Sequence, residues 1–170
     1  DIFEIAEAYF KNAKAESIYI TTNGMFTAFT KEFIDKFIAS GIRGKIIFAI
    51  SIDNFEEAHD ENRRVKGLFK NAMETYRVIK SYDKKNILAD IALTVTHHNY
   101  NDVVPLYHYL KKEHGVNAFT ASAMREEGIV KSIQPETKAA IYGAYKELTD
   151  LIREDLIGKR TVGFRESLQG

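Results

Sequence analysis

Apolar residues along the chain recur with two periods, one helical and one extended. Ile2, Ile5, Ala6 and Tyr9 fall at helical spacing, and Ser17 to Thr22 is a short β-branched run closed by the turn signal Asn23-Gly24. Phe29, Phe33, Ile34, Phe37 and Ile38 share one helical face, with Gly41 where a C-terminal cap belongs. Lys45 to Ile52 is nearly all apolar, as a strand covered on both faces should be. Leu68, Phe69, Ala72, Met73, Tyr76 and Ile79 mark a third helix, and Ile87 to Thr96 a third strand. Asn101 and Asp102 start the helix of Val103, Leu106, Tyr107 and Leu110, which Gly115 ends. Val116 to Ser122 forms a weaker fourth strand, and Pro135 opens a long helix with Ile141, Tyr145, Leu148 and Ile152 on its buried stripe.

The resulting order is α-β-α-β-α-β-α-β-α. Strand starts about 30 to 40 residues apart suit right-handed βαβ units and a parallel sheet. The expected fold is α/β, a parallel-strand partial TIM-like barrel fragment of about four βα units. It spans residues 1–158, with 159–170 as a C-terminal tail or the start of a further domain. Parallel α/β folds place ligands at the carboxyl ends of their strands, so that rim is where chemistry is sought. The strand ends supply Thr21, Thr22, Asn23 and Gly24, then Ser51, Asp53 and Asn54, then Thr94, Thr96, His97, His98 and Asn99, and finally Ser122, Met124 and Arg125.

These hydroxyls, amides, arginines and one carboxylate suit a ligand with ribose hydroxyls, a carboxylate and an amine. Asp53 is placed to accept from vicinal ribose hydroxyls, or else to cap the next helix. Arg63 offers a planar fork for a carboxylate, or an ion pair with Glu57 or Glu61. His97-His98 invites a metal reading, but neighbours on an extended strand point to opposite faces. His59-Asp60 is read first as a capping and packing pair. No GxGxxG or Walker pattern occurs, which argues against a nucleotide triphosphatase.

Composition narrows the chemistry further. The 170 residues carry 24 basic and 24 acidic side chains, a balance that gives no reason to expect nucleic acid or an anionic membrane as partner. The absence of cysteine removes disulfides, thiolate zinc sites and iron-sulfur ligation from this chain. No apolar run approaches the roughly 20 residues of a membrane span, and no signal-peptide pattern opens the chain, so a cytoplasmic location is the expectation.

Several runs, taken in order, resemble the radical S-adenosylmethionine (AdoMet) superfamily: Ile18 to Gly24 (IYITTNG), Ala49 to Asp53 (AISID), His59 to Arg63 (HDENR), Gly67 to Phe69, and Leu93 to Thr96 with Asn99. Their spacing looks like the third, fourth and fifth strands of that family's partial barrel, in the branch with auxiliary-cluster extensions. Met124 to Gly128 looks like the segment after the sixth strand. The chain departs from the family's pattern at Asn54 and Arg64, where glycine is frequent.

The resemblance implies a parent enzyme that reductively cleaves AdoMet at a [4Fe-4S] cluster and generates a 5′-deoxyadenosyl radical for substrate modification. It implies AdoMet contacts from Ser51 and Asp53 to the ribose and amino-acid portion, from Arg63 to the carboxylate, and from Thr96 or Asn99 at the neighbouring rim. Thr22 and Asn23 would shape the turn beside the sulfonium. The family's cluster cysteines and glycine-rich segment would precede Asp1, so the chain is read as an inactive piece of a longer barrel, with no catalytic residue of its own. Its open strand edge and an interior lined by Ile18, Ile20, Ile47 and Ala49 are expected to drive self-association. The substrate, small molecule or peptide, is left open. The alternative from the residues alone is a flavodoxin-like or barrel-like binding module for a phosphorylated or sugar ligand, without radical chemistry.

Overall fold

The computed structural model describes residues 1–125 and 133–167, with side chains as far as 158. Four strands, β1 (Ser17–Thr22), β2 (Lys45–Ser51), β3 (Ile87–Val95) and β4 (Phe119–Ala123), form one sheet in the order β1-β2-β3-β4. Every pair is parallel. The helices are α1 (Ile2–Asn12), α2 (Thr27–Ala39), α3 (Glu56–Arg63), α4 (Leu68–Ser81), α5 (Val103–His114) and α6 (Pro135–Ser167). The expected α/β fold with parallel strands is therefore present.

Strand order explains the shape. Right-handed crossovers between strands that neighbour one another in both sequence and sheet put all the helices on one side. A flavodoxin-like sheet reverses its order part-way and carries helices on both faces; no such reversal occurs here. The four βα units therefore form a section of a barrel wall, with a helix-facing side and a concave side.

The core lies between sheet and helices. Ile46, Phe48 and Ile50 of β2 alternate with Ile47, Ala49 and Ser51, and only the first set packs in the main core cluster. Ile87, Ala89, Ile91, Leu93 and Val95 do the same on β3. Against them pack Phe69, Ala72, Met73, Tyr76 and Ile79 of α4 and Val103, Leu106, Tyr107 and Leu110 of α5; these and Leu68 are all buried as their spacing predicts. Ile141 and Leu148 of α6 are also buried, and Lys111 Nζ lies 2.7 Å from Asp155 Oδ1, docking α6 on α5. α6 continues through the point at which a tail or second domain is expected to begin. The resemblance noted for Met124 to Gly128 falls partly outside the described residues.

Three sequence expectations need correction. First, Ile18 and Ile20 do not line the concave interior: both pack on the helix-side core, and Tyr19 and Thr21 take the opposite face. A six-residue β-branched strand reveals its alternation but not which phase meets the helices. Second, α1 buries Ala6, with Phe3 and Phe10 packed beside it, while Ile2, Ile5 and Tyr9 are more than half exposed. On α2, Phe29 and Ile38 likewise stay outside the buried stripe of Phe33, Ile34 and Phe37. Third, residues 56–63 form a helix of their own. Arg64, left-handed at φ 54°, stops it, and Gly67 at φ 76° admits α4. Asp60 joins the two by accepting the amides of Gly67 and Phe69.

Candidate functional site

The carboxyl ends of β2 and β3 are tied together by one side chain. Asn99 is 3% exposed, and its Nδ2 donates to the carbonyls of Asp53 (2.6 Å) and Thr94 (2.9 Å). Its Oδ1 accepts from the Thr96 amide (2.6 Å) and lies 3.2 Å from Thr96 Oγ1. A carboxamide has two donors and one acceptor oxygen, so all of its bonding capacity goes into holding the β2–α3 and β3–α5 loops together. The chain following β3 turns over at residues 97–102 because Thr96 and Asn99 cap each other there.

Asp53 is fixed from three further directions. Its amide donates to His59 Nδ1 at 3.0 Å. Its carboxylate receives both Nε and Nη2 of Arg63, and Asn62 Nδ2 at 3.2 Å. Asp53 thus does not cap α3, whose N-terminus has no side-chain cap, and Arg63 pairs with it rather than with Glu57 or Glu61. The bond raises the Arg63 pKa further and keeps the guanidinium charged. Such a side-on pair leaves the Nη1 edge of the fork unused among the described residues.

His59 is fully buried, with its ring edge-on to Phe69. Accepting at Nδ1 fixes the Nε2–H tautomer, and that proton finds no partner among the described residues. Burial is the largest influence on the ring and lowers its pKa; Asp53 opposes the shift and Arg63 adds to it. His59 and Asp60 therefore cap and pack, as read from the sequence.

Asn54 sits outside the left-handed region that a glycine would favour, since among the described residues the non-glycine ones with positive φ are Lys14, Arg64 and Asp83. Its Oδ1 accepts the Phe55 amide at 2.8 Å and its Nδ2 reaches Asp102 at 3.2 Å. The turn after Asp53 is thus made without glycine. Arg64, by contrast, does adopt a left-handed backbone.

Between these loops lies a cleft of about 230 Å³ lined by Asp53, Asn54, Asn62, Thr96, His98 and Asn99, among others. Ser51, on the concave side of β2, and Arg63 are not among the residues that line it. Thr22 and Asn23 are not part of this group. Thr22 Oγ1 accepts the Gly24 amide at 3.1 Å, and Asn23 Oδ1 accepts the Met25 amide at 3.0 Å. Together they shape the turn into α2, where Thr22 lines a groove with Ile20, Phe26, Phe29 and Phe48. Gly24 is required there: at φ 72° a Cβ would come 2.7 Å from the Ala72 Cα.

His97 and His98 lie in the turn beyond β3, so strand alternation does not separate them; their ring centroids are 3.8 Å apart. Among the described residues no group of three or more His, Cys, Asp and Glu side chains is arranged to hold a metal ion. No described helix is long and apolar enough to cross a membrane.

Sequence reading missed Asp90. It is the one charged residue in the β3 run, is 7% exposed, and points to the concave face, where the Tyr19 hydroxyl donates to it. Burial raises its pKa. The Tyr19 hydroxyl is itself pushed up to about 12, first by burial and then by the Asp90 bond. A lone carboxylate in an otherwise apolar β-period was the available signal.

No family model matches the chain. No curated protein matches it. Among solved structures, a histidine-tagged anSMEcpe with bound AdoMet is similar, with a TM-score of 0.54 and 20% identity, over 83% of this chain and 38% of that one. At that identity the likeness shows the shared fold, and the chain spans well under half the length of the protein it resembles.

Proposed function

We propose that the chain is the AdoMet-orienting section of a radical AdoMet enzyme barrel. The observation that carries this reading is the convergence of Asp53, Arg63, Thr96 and Asn99 at one mouth of a parallel sheet, on a fold shared with an AdoMet-bound radical AdoMet enzyme. The residues suit the ligand. The polar cleft offers hydroxyl and amide partners for a ribose and an amino acid, and Arg63, held beside it by Asp53, keeps an Nη1 edge that suits a carboxylate.

The cysteines that an iron-sulfur cluster needs do not lie among these 170 residues. When bound in the complete enzyme, AdoMet would supply the hydrogen-abstracting chemistry. The share of this chain is positional: Asn99 and His59 hold the Asp53 backbone, and Arg63 holds its carboxylate. On this reading the chain alone binds AdoMet weakly and does not cleave it.

Titration of AdoMet into the 15N-labelled chain tests the proposal. The expected result is a saturable shift of the Asn99 side-chain amide and the Asp53 backbone amide, weakened in Ser51→Ala and Asp53→Asn. The same shifts produced by inorganic phosphate or glucose, with none from AdoMet, would favour the phosphate or sugar module. Extending the coding sequence upstream and finding CxxxCxxC, followed by reductive formation of 5′-deoxyadenosine by the longer protein, would establish the activity.

A further inference from the structure

We infer that the concave face of the sheet carries a second binding site, for a ligand with a primary ammonium group, anchored by Asp90. Equating that ligand with the substrate rests on the AdoMet reading above; the amine site itself rests on three features of the face.

The first is size. A parallel barrel normally fills its interior with layers of bulky branched side chains. At the middle of this face the strands present Ala49, Ser51 and Ala92, with Ala49 the register partner of Asp90 and Ser51 that of Ala92. Side chains this small build no such layer themselves; Ala49 is nevertheless 1% exposed and Asp90 7%, so this part of the face is covered by side chains that reach in from elsewhere.

The second is Asp90 itself. It is more than nine-tenths buried, and the bond from Tyr19 occupies only Oδ2. Oδ1 has no hydrogen-bond partner, and no ion pair reaches the carboxyl among the described residues. A carboxyl held out of water with one oxygen idle costs free energy. A donor delivered by a ligand removes that cost, and an ammonium adds the charge that lets the group ionise while buried.

The third is the surrounding chemistry. Thr94 and Ser122, whose hydroxyls are 3.2 Å apart, share the face, as does Thr120, the register partner of Ala92. An ammonium has three N–H groups; Asp90 takes one and hydroxyls of this kind accept the others. Tyr19, which crosses over β2 to reach both Asp90 and Thr120, has about half of its surface exposed to solvent. It therefore serves as the cover that an incoming amine displaces.

The test uses the 170-residue chain with 13C-labelled aspartate carboxyls, and n-butylammonium as the probe. The expected result is saturable movement of the Asp90 resonance, with its titration midpoint falling by about one pH unit at ten times the Kd. Asp90→Asn should weaken butylammonium binding at least tenfold, while Tyr19→Phe keeps it. Neither n-butanol, which lacks the charge, nor tetramethylammonium, which lacks the N–H groups, should compete. Binding unchanged in Asp90→Asn, equal binding of tetramethylammonium, or no response to butylammonium would overturn the site. AdoMet is followed separately at Asn99. A response to AdoMet without one to the amine sinks the site and spares the AdoMet reading; the reverse leaves the amine site standing but removes its link to a substrate.

Discussion

The two faces of the same four strands are built to different rules. On the helix side, Ile46, Ile50, Ile91 and Leu93 are at most 1% exposed, and the side chains of α4 and α5 close over them. On the concave side, Ala49, Ser51, Asp90, Ala92 and Thr94 are small, hydroxylic or acidic, with Ile47 and Leu88 below them toward the strand starts, and a tyrosine reaches across the face to a carboxyl. The first face supplies the stability. The second carries small and polar side chains at its middle, the chemistry of a binding surface more than of a core.

The largest test of that contrast is a pair of substitutions one residue apart on β3. Leu93→Ala should cost about 2 to 5 kcal/mol, because it removes a fully buried side chain from a close-packed layer. Ala92→Ser, on the concave face, should stay within about 0.5 kcal/mol. Urea denaturation of both variants checks the pair, and comparable losses would mean that the faces do not differ as described.

The rim should behave like the core although it is polar. Asn99→Ala removes the ties to two part-buried carbonyls and an amide, and should cost roughly 2 to 3 kcal/mol. Asn99→Asp should not restore it, since a carboxylate cannot donate to the Asp53 and Thr94 carbonyls. Thermal unfolding of the two variants, with AdoMet titration alongside, measures the effect.

The next effect is on pH dependence and separates Asp90 from His59. Asp90 has a raised pKa in the fold, so its contribution is complete below the ordinary carboxylate range and is lost as pH rises through its folded value. His59 has a lowered pKa, so its contribution is present above about pH 6.5 and is lost as pH falls through its folded value. In a stability-against-pH profile, Asp90→Asn should flatten the alkaline-going decline only, and His59→Gln the acid-going decline only.

The smallest effect concerns backbone alone. Arg64 occupies a left-handed position between α3 and α4, so Arg64→Gly should stabilise by up to about 1 kcal/mol. A loss instead would show that its side chain contributes more than the strain it imposes.

Much of this arrangement is legible in the sequence where a helical stripe is long. Leu68 to Ile79 and Val103 to Leu110 identify their buried faces without ambiguity, and runs such as Lys45 to Ile52 mark strands between them. The rim follows from position at strand ends, which is why Asp53, Arg63, Thr96 and Asn99 stand out and do meet. What they bond to is less legible. Arg63 turns back on Asp53, and Asn99 spends itself on backbone carbonyls, because the loops that carry them need internal partners before any ligand arrives. Phase is the other blind spot. Ile18 and Tyr19 are equally good strand residues, and only the packing of α2 decides which looks inward. Asp90 escaped notice because its neighbours made the run read as uniformly apolar.

The Asn99 carboxamide has a mechanical consequence. It stitches together two connections that belong to different βα repeats and lie 46 residues apart in sequence. Hinge motion in one connection must therefore drag the other, so their backbone amides should exchange with deuterium in a single concerted opening, not two separate ones.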